Sequence, residues 1–240
     1  MENNQGIKTN KMDNNTNLNN TKKVPVGLLV AVMIIGLIGF TVIAYMIATR
    51  GNVFFDDPVR NLFYDARSPG LTTLMELITY AGQWPAVTVL CLLLLIYPKT
   101  RFTFGVPVSL AAILTQILEK AVKYTICRPR PHVSLHLVEE HSYSFPSGHS
   151  ISGMAVYMLL FILIMAYMEG GGRKTALLIL TFILAFGVGL SRIYLGVHYP
   201  SDVLAGWFGA WAMIAVVLLI RDNTKIGQKY MMPGSEESLY

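Results

Sequence analysis

Charge is scarce in this chain: 14% of its 240 residues are Asp, Glu, Lys or Arg, against 53% hydrophobic ones. A soluble domain carries roughly 25% charged residues. The deficit is uneven, because apolar runs fill windows of about 20 residues and the charges fall between them, the arrangement a bilayer demands. Cysteine is also scarce. Cys91 lies inside an apolar run and Cys127 follows one, so neither a structural disulfide nor a cysteine metal cluster is expected. Without nucleic-acid motifs, the net charge of +5 is assigned to short basic loops on the cytoplasmic side of a membrane rather than to nucleic acid.

What is present is a series of hydrophobic stretches. Residues 1–23 form an Asn-rich, polar segment read as a disordered cytoplasmic tail ending in Lys22 and Lys23. The run 24–48 is too long for the core of a signal peptide and is read as an uncleaved first span. Residues 50–70 mix Phe, Tyr, Arg and Asp, a composition suited to an interfacial amphipathic helix and not to hydrocarbon. Further spans are expected at 71–97 (interrupted by Gly82 and Pro85), 102–123, 147–168, 175–195 and 202–220, with a polar cytoplasmic tail from Arg221. The expectation is one all-α domain, residues 24–221, built as a bundle of six transmembrane helices, followed by a tail over 222–240. No oligomeric state is specified.

Lys22/Lys23, Lys99/Arg101, Arg173/Lys174 and Arg221/Lys225/Lys229 all fall on one side of this layout. Both termini are therefore placed in the cytoplasm. The opposite side also carries Arg50, Arg60, Arg67, Lys120, Lys123, Arg128, Arg130 and Arg192, offset by Asp56, Asp57, Asp65 and Glu119 or engaged in an anion site. All five histidines, at 132, 136, 141, 149 and 198, lie on that outer side, so the chemistry is expected there.

Three separated segments supply that chemistry: Lys123 with Arg130-Pro131; Pro146-Ser147-Gly148-His149; and Ser191-Arg192 with His198 and Asp202. A phosphoryl group in transfer spreads negative charge over its outer oxygens, and must be surrounded by cations and N–H donors. Lys123, Arg130 and Arg192 bring cations from three places, Arg as a bidentate fork and Lys as a point charge. Ser147-Gly148 opens a helix after Pro146, where free N–H groups cradle anions. His198 and Asp202, four apart at a helix start, are spaced for a carboxylate to hold one imidazole nitrogen and leave the other to attack phosphorus. His149 is placed to protonate the leaving oxygen. Each piece alone has a plainer reading: Lys123 and Arg192 as headgroup anchors, Arg130 as a solvated loop charge, Pro146-Ser147-Gly148 as an ordinary turn and helix start, His149 and His198 as interface histidines, Asp202 as a helix cap. Ser191 serves phosphate binding or helix packing equally well. Arg128 is not assigned to the site. His132, His136 and His141, with Glu139 and Glu140, match no compact metal motif.

With those motifs the chain resembles the type 2 phosphatidic acid phosphatase superfamily, above all bacterial membrane-bound phosphatidylglycerophosphatase B and undecaprenyl-diphosphatase. The family pattern of Lys-x6-Arg-Pro, Pro-Ser-Gly-His and Ser-Arg-x5-His-x3-Asp is met without departure over residues 119–206. The resemblance implies hydrolysis of a lipid phosphate or diphosphate through a phosphohistidine, without cofactor or metal. It implies His198 as nucleophile, Asp202 as its support and His149 as acid. Lys123, Arg130, Ser147, Gly148, Ser191 and Arg192 would bind the phosphoryl oxygens at the extracytoplasmic face, with the bilayer as partner. Phosphatidylglycerophosphate and undecaprenyl diphosphate are the leading substrates, which connects the chain to phospholipid biosynthesis or cell-wall carrier recycling. Transfer to a second hydroxyl acceptor is the alternative reaction, and a lipid-phosphate transporter the alternative outside enzymes.

Overall fold

A computed structural model describes residues 23–231. The Asn-rich segment and the last residues of the expected C-terminal tail lie outside the described part.

The architecture is all-helical. Helix α1 (Val26–Arg50) leads into a short α2 (Asp56–Asp65), and the pair α3 (Pro69–Tyr80) and α4 (Trp84–Ile96) follows. Then come α5 (Pro98–Ile126), α6 (Gly148–Tyr167), α7 (Gly172–Tyr194), α8 (Pro200–Asn223) and a final α9 (Lys225–Met231). Five of these helices are long and apolar enough to span a bilayer, and α3 with α4 makes a sixth, bent by 51°. The bend falls where Gly82 and Pro85 interrupt the run, since proline lacks an N–H donor and is accepted at the first turn of a new helix. Proline is indeed in the first turn of α4. The expected span at 102–123 begins earlier, at Pro98, and passes through a π-helical turn at Arg101–Gly105.

Helix α6 is the hub. Of its most apolar window 72% is buried, against 22% for α1 and 39% for α7, and it packs on α5, α7 and α8. The poorly buried helices turn large apolar side chains outward: Ile34, Ile35 and Ile38 on α1, and Ile179, Phe182 and Ile183 on α7 are all exposed. Such a belt is satisfied by lipid tails and by nothing in water. Helix α1 docks on α8 through small residues; a Cβ at Gly36 would lie 2.7 Å from the Phe208 carbonyl oxygen. Close backbone approach of this kind is how helices gain packing where lipid removes the hydrophobic drive.

The segment read from the sequence as a polar tail beginning at Arg221 is instead helical to Asn223, and α9 follows. Arg221 and Asp222 are buried, the Nε of Arg221 donating to Asp222 Oδ1 at 2.7 Å. The neighbouring carboxylate and the Tyr167 ring, 5.5 Å from the guanidinium, explain how this charge leaves water. At the same end, Lys174 Nζ donates to the carbonyls of Met165 and Met168, both at 2.9 Å. A cation here caps the orphan carbonyls that close α6.

At the other end, three connections meet. Residues 51–68, 127–147 and 195–199 touch one another: Arg128 meets Asp56, Arg67 donates to the Leu135 carbonyl, and the Leu137 N–H donates to the Leu195 carbonyl. Gly196 is the tightest point: it has φ +79°, and a Cβ would lie 2.1 Å from the Leu135 carbonyl oxygen. Gly196→Ala combines left-handed backbone with a clash against main chain. It is expected to cost about 2–3 kcal/mol, read as a lower thermal unfolding midpoint in detergent. An unchanged midpoint would show that the two loops separate at no cost.

Candidate active site

The end of the bundle where these loops meet gathers the three sequence motifs. Lys123 ends α5, His149 opens α6, Arg192 ends α7, and His198 and Asp202 flank the start of α8. Antiparallel packing of consecutive spans brings the end of one helix beside the start of the next, so residues up to 79 apart in sequence share one site.

A cavity of about 200 Å³ lies among them, lined by Lys123, Arg130, Gly148, His149 and His198, together with Gly82, Trp84, Gln116, Glu119, Glu140 and Ser142. His198 is 1% exposed. Its Nδ1 faces Asp202 Oδ2 at 3.5 Å and Ser144 Oγ at 3.4 Å, and its Nε2 lies 3.0 Å from Arg130 Nη1. Arginine can only donate, so Nε2 is the unprotonated nitrogen and Nδ1 carries the proton. Burial lowers the pKa of His198 well below 6.5, and the cations Arg130, Arg192 and Lys123 lower it further. The ring is neutral. Across the cavity, His149 Nε2 is buried without a hydrogen-bond partner. His149 lines the cavity, and a buried polar atom without a partner marks the ring as part of the site rather than of the packing.

The cations already hold carboxylates. Glu140 accepts from Arg130 Nη2 at 3.2 Å and from Arg192 Nη2. Glu119 accepts from Lys123 Nζ at 2.5 Å. Arg192 is further fixed by donating to Thr79 Oγ1 at 2.8 Å, and Arg130 by donating to the carbonyls of Ser142 and Val197 at 2.6 and 2.8 Å. Two guanidiniums thus converge on the Glu140 carboxylate, and one of them, that of Arg130, also touches His198. Burial pulls the pKa of Arg130 down, and Glu140 opposes that shift.

Two of the sequence-derived candidates point elsewhere. Ser147 caps α6, its Oγ accepting from Ser150 Oγ at 2.7 Å, while its N–H donates to the Asp202 carbonyl at 3.2 Å. Ser191 Oγ donates to the Val188 carbonyl at 2.7 Å within α7. Neither lines the cavity. Gly148 does, and a Cβ there would lie 3.0 Å from Glu119 Oε1. The loop histidines are scattered, with His132 against Ser134, His136 against the Pro131 carbonyl and His141 exposed beside Glu139.

A family model described as the PAP2 superfamily matches residues 104–226, more than half of the chain, and includes all three motifs. The chain belongs to the PAP2 superfamily. This PAP2 protein is 31% identical over 173 residues to phosphatidylglycerophosphatase B of Bacillus subtilis, an alignment covering 70% of this chain and 84% of that one. It is also 31% identical over 177 residues to an undecaprenyl-diphosphatase of Sulfolobus acidocaldarius, covering 69% and 79%. Among solved structures, the transmembrane PAP2 type phosphatidylglycerolphosphate phosphatase from Bacillus subtilis superposes with a TM-score of 0.65 at 29% identity, covering 77% of this chain and 93% of that one. Membership places the protein among PAP2-type lipid phosphate and diphosphate hydrolases of the membrane.

The PAP2 site contains residues that sequence reasoning passed over. Arg128, which the sequence left unassigned, is 3% exposed and bonded to Asp56 and Asp202. Ser144 Oγ donates to Asp202 Oδ2 at 2.5 Å, occupying the oxygen nearest His198. Glu140 enters the sequence reading only among the loop groups that match no metal motif. For Arg128 a signal did exist: an arginine directly before a proline and two positions before a motif arginine. For Asp56 none did.

Proposed function

We propose that this protein hydrolyses a lipid phosphate or diphosphate through a phosphohistidine on His198, at the extracytoplasmic face of the membrane. One observation carries this reading: a neutral, buried imidazole and an orphaned second imidazole share a small cavity with Arg130 and with Glu140, the carboxylate on which Arg130 and Arg192 converge. In the proposed reaction the lone pair of His198 Nε2 forms a bond to phosphorus as the bond from phosphorus to the leaving oxygen breaks. His149 protonates that oxygen. Water then attacks phosphorus, giving its proton to His149, as the bond from phosphorus to Nε2 breaks and returns its electron pair to His198, and inorganic phosphate leaves. Arg130 donates to Nε2 here; moved onto a phosphoryl oxygen, the same guanidinium would free that lone pair. Lys123, Arg130, Arg192 and the N–H groups at Gly148 hold the oxygens. Ser147 and Ser191 support them by fixing the ends of α6 and α7.

The lipid character of the substrate is supported by an apolar groove of about 530 Å³ between α4, α5 and α6, lined by Val87, Leu92, Leu95, Ile113 and Ile117. It shares Trp84 and Gln116 with the phosphate cavity, so a tail can lie in it while the headgroup reaches His198. Phosphatidylglycerophosphate and undecaprenyl diphosphate are the proposed substrates, after the activities named for the relatives. The outward-facing site is supported by the basic loops at the opposite end.

The deciding experiment supplies each lipid, labelled in its terminal phosphate, to purified protein in detergent with chelator present. A transient acid-labile adduct at His198 is expected, and the ratio of turnover rates assigns the substrate. An adduct elsewhere sinks the nucleophile assignment. Label passing to an added lipid or sugar hydroxyl in place of water would make the protein a phosphotransferase.

The reading also fixes a pH dependence. His198 has a folded pKa below its unfolded value near 6.5, so its stabilising contribution is complete above pH 6.5 and lost as pH falls toward the folded value. The acidic limb of kcat/KM due to His198 is expected to lie below pH 6.5. A His198-dependent limb above 7 would show the ring to be readily charged.

A further inference from the structure

Asp56 lies outside all three motifs and outside residues 104–226, yet it is 1% exposed. It opens α2, whose flank carries the exposed Phe54 and Leu62, so the first turn of a surface helix is pinned into the base of the site. Every bond it makes is accounted for. Its Oδ1 accepts from the Ser201 N–H at 2.8 Å. Its Oδ2 accepts from Ser201 Oγ at 2.8 Å, from Arg128 Nη2 at 2.8 Å and from the Val53 N–H at 3.1 Å.

Arg128 is thereby shared. Its Nη1 donates to Asp202 Oδ1 at 2.6 Å and to Ser201 Oγ at 2.8 Å, and its guanidinium stacks 4.0 Å over the Tyr199 ring. Asp202 in turn faces His198 through Oδ2. The buried group therefore contains two carboxylates and one guanidinium, a net charge of one negative, next to a neutral imidazole. Forming a bond from Nε2 to phosphorus places positive charge on that ring while Nδ1 keeps its proton. The surplus negative charge is matched to that step. Were Asp56 neutral, Arg128 would be balanced by Asp202 alone, and the group facing the new charge on His198 would carry one negative charge fewer. In a site shielded from water such a mismatch falls on the transition state more than on substrate binding.

We infer that Asp56 is a positioning residue for the His198–Asp202 pair: it holds one side of Arg128, so that Asp202 keeps negative charge for His198. This inference rests on the reading of His198 as nucleophile. Its test measures the full chain in detergent with a lipid phosphate substrate, counting active sites by orthovanadate titration. Asp56→Asn is expected to lower kcat per titrated site by about 10–100-fold while KM stays within about threefold. A residue that only helped the chain fold would lower the number of sites and leave kcat per site alone. Parental kcat per site in Asp56→Asn overturns the inference. If that variant yields no folded protein, Asp56→Ser decides, since it removes the same charge with a smaller side chain and leaves Arg128 matched to Asp202. It is expected to lower kcat per titrated site by the same factor at unchanged KM, and parental kcat there overturns the inference equally. His198→Ala is run beside both: activity retained in it removes the nucleophile reading, whereas its loss together with parental Asp56→Asn turnover removes only the role of Asp56.

Discussion

His198→Ala is expected to abolish lipid phosphate hydrolysis, with turnover lower by at least about a thousandfold. The reason is the absence of a substitute at that position. The atoms facing the ring belong to Arg130, Ser144 and Asp202. Arginine is a donor without a lone pair to offer. The Ser144 hydroxyl is committed to Asp202 at 2.5 Å on the Nδ1 side of the ring, away from the cavity. The cation cradle is untouched by the substitution, so orthovanadate should still bind and the fold should persist. Loss of turnover with vanadate binding retained is the expected pattern. Turnover within tenfold of the parent would reject the phosphohistidine mechanism and leave direct attack by water in the same cradle.

The second large effect falls on stability. Arg128→Met should cost about 3–5 kcal/mol, because it leaves Asp56 and Asp202, both under 2% exposed, without their shared cation. Burial by itself would depress the pKa of Arg128, but Asp202 and Asp56 reverse the direction and hold it raised. The guanidinium is therefore charged throughout the accessible pH range. Methionine preserves much of the side-chain volume, so a cavity contributes little to the expected loss. A markedly lower unfolding midpoint in detergent is the result to look for. An unchanged midpoint would mean that the two carboxylates tolerate burial unpaired, and would remove the charge balance on which the role of Asp56 depends. Asp56→Asn differs in kind, because it leaves one carboxylate matched to one guanidinium and should fold.

Much of this protein was legible from its residues in order. A span must satisfy its own backbone inside hydrocarbon, so each one shows as a long, mostly apolar run. The break at Gly82 and Pro85 was visible for the same local reason. Ends of spans were read less well: α8 runs past Arg221, because Asp222 and Tyr167 shelter a charge that a linear reading places in water. The motif residues were found because phosphate chemistry demands particular side chains. The two serines among them, Ser147 and Ser191, turn their hydroxyls to their own helices, for Ser191 the packing reading the sequence left open.

The sequence by itself thus determined an all-helical, multi-span membrane protein, and it singled out Lys123, Arg130, His149, Arg192, His198 and Asp202 as the candidates for its chemistry. Only the tertiary structure decided what those residues lean on. Glu140 between two arginines, Thr79 against Arg192, and Asp56 joined to Arg128 and Ser201 are contacts across 10 to 145 positions. Hydrophobic periodicity encodes which face of a helix is buried, and that is a local property. Which carboxylate meets which cation depends on how the helix ends are brought together, and no period in the chain records it.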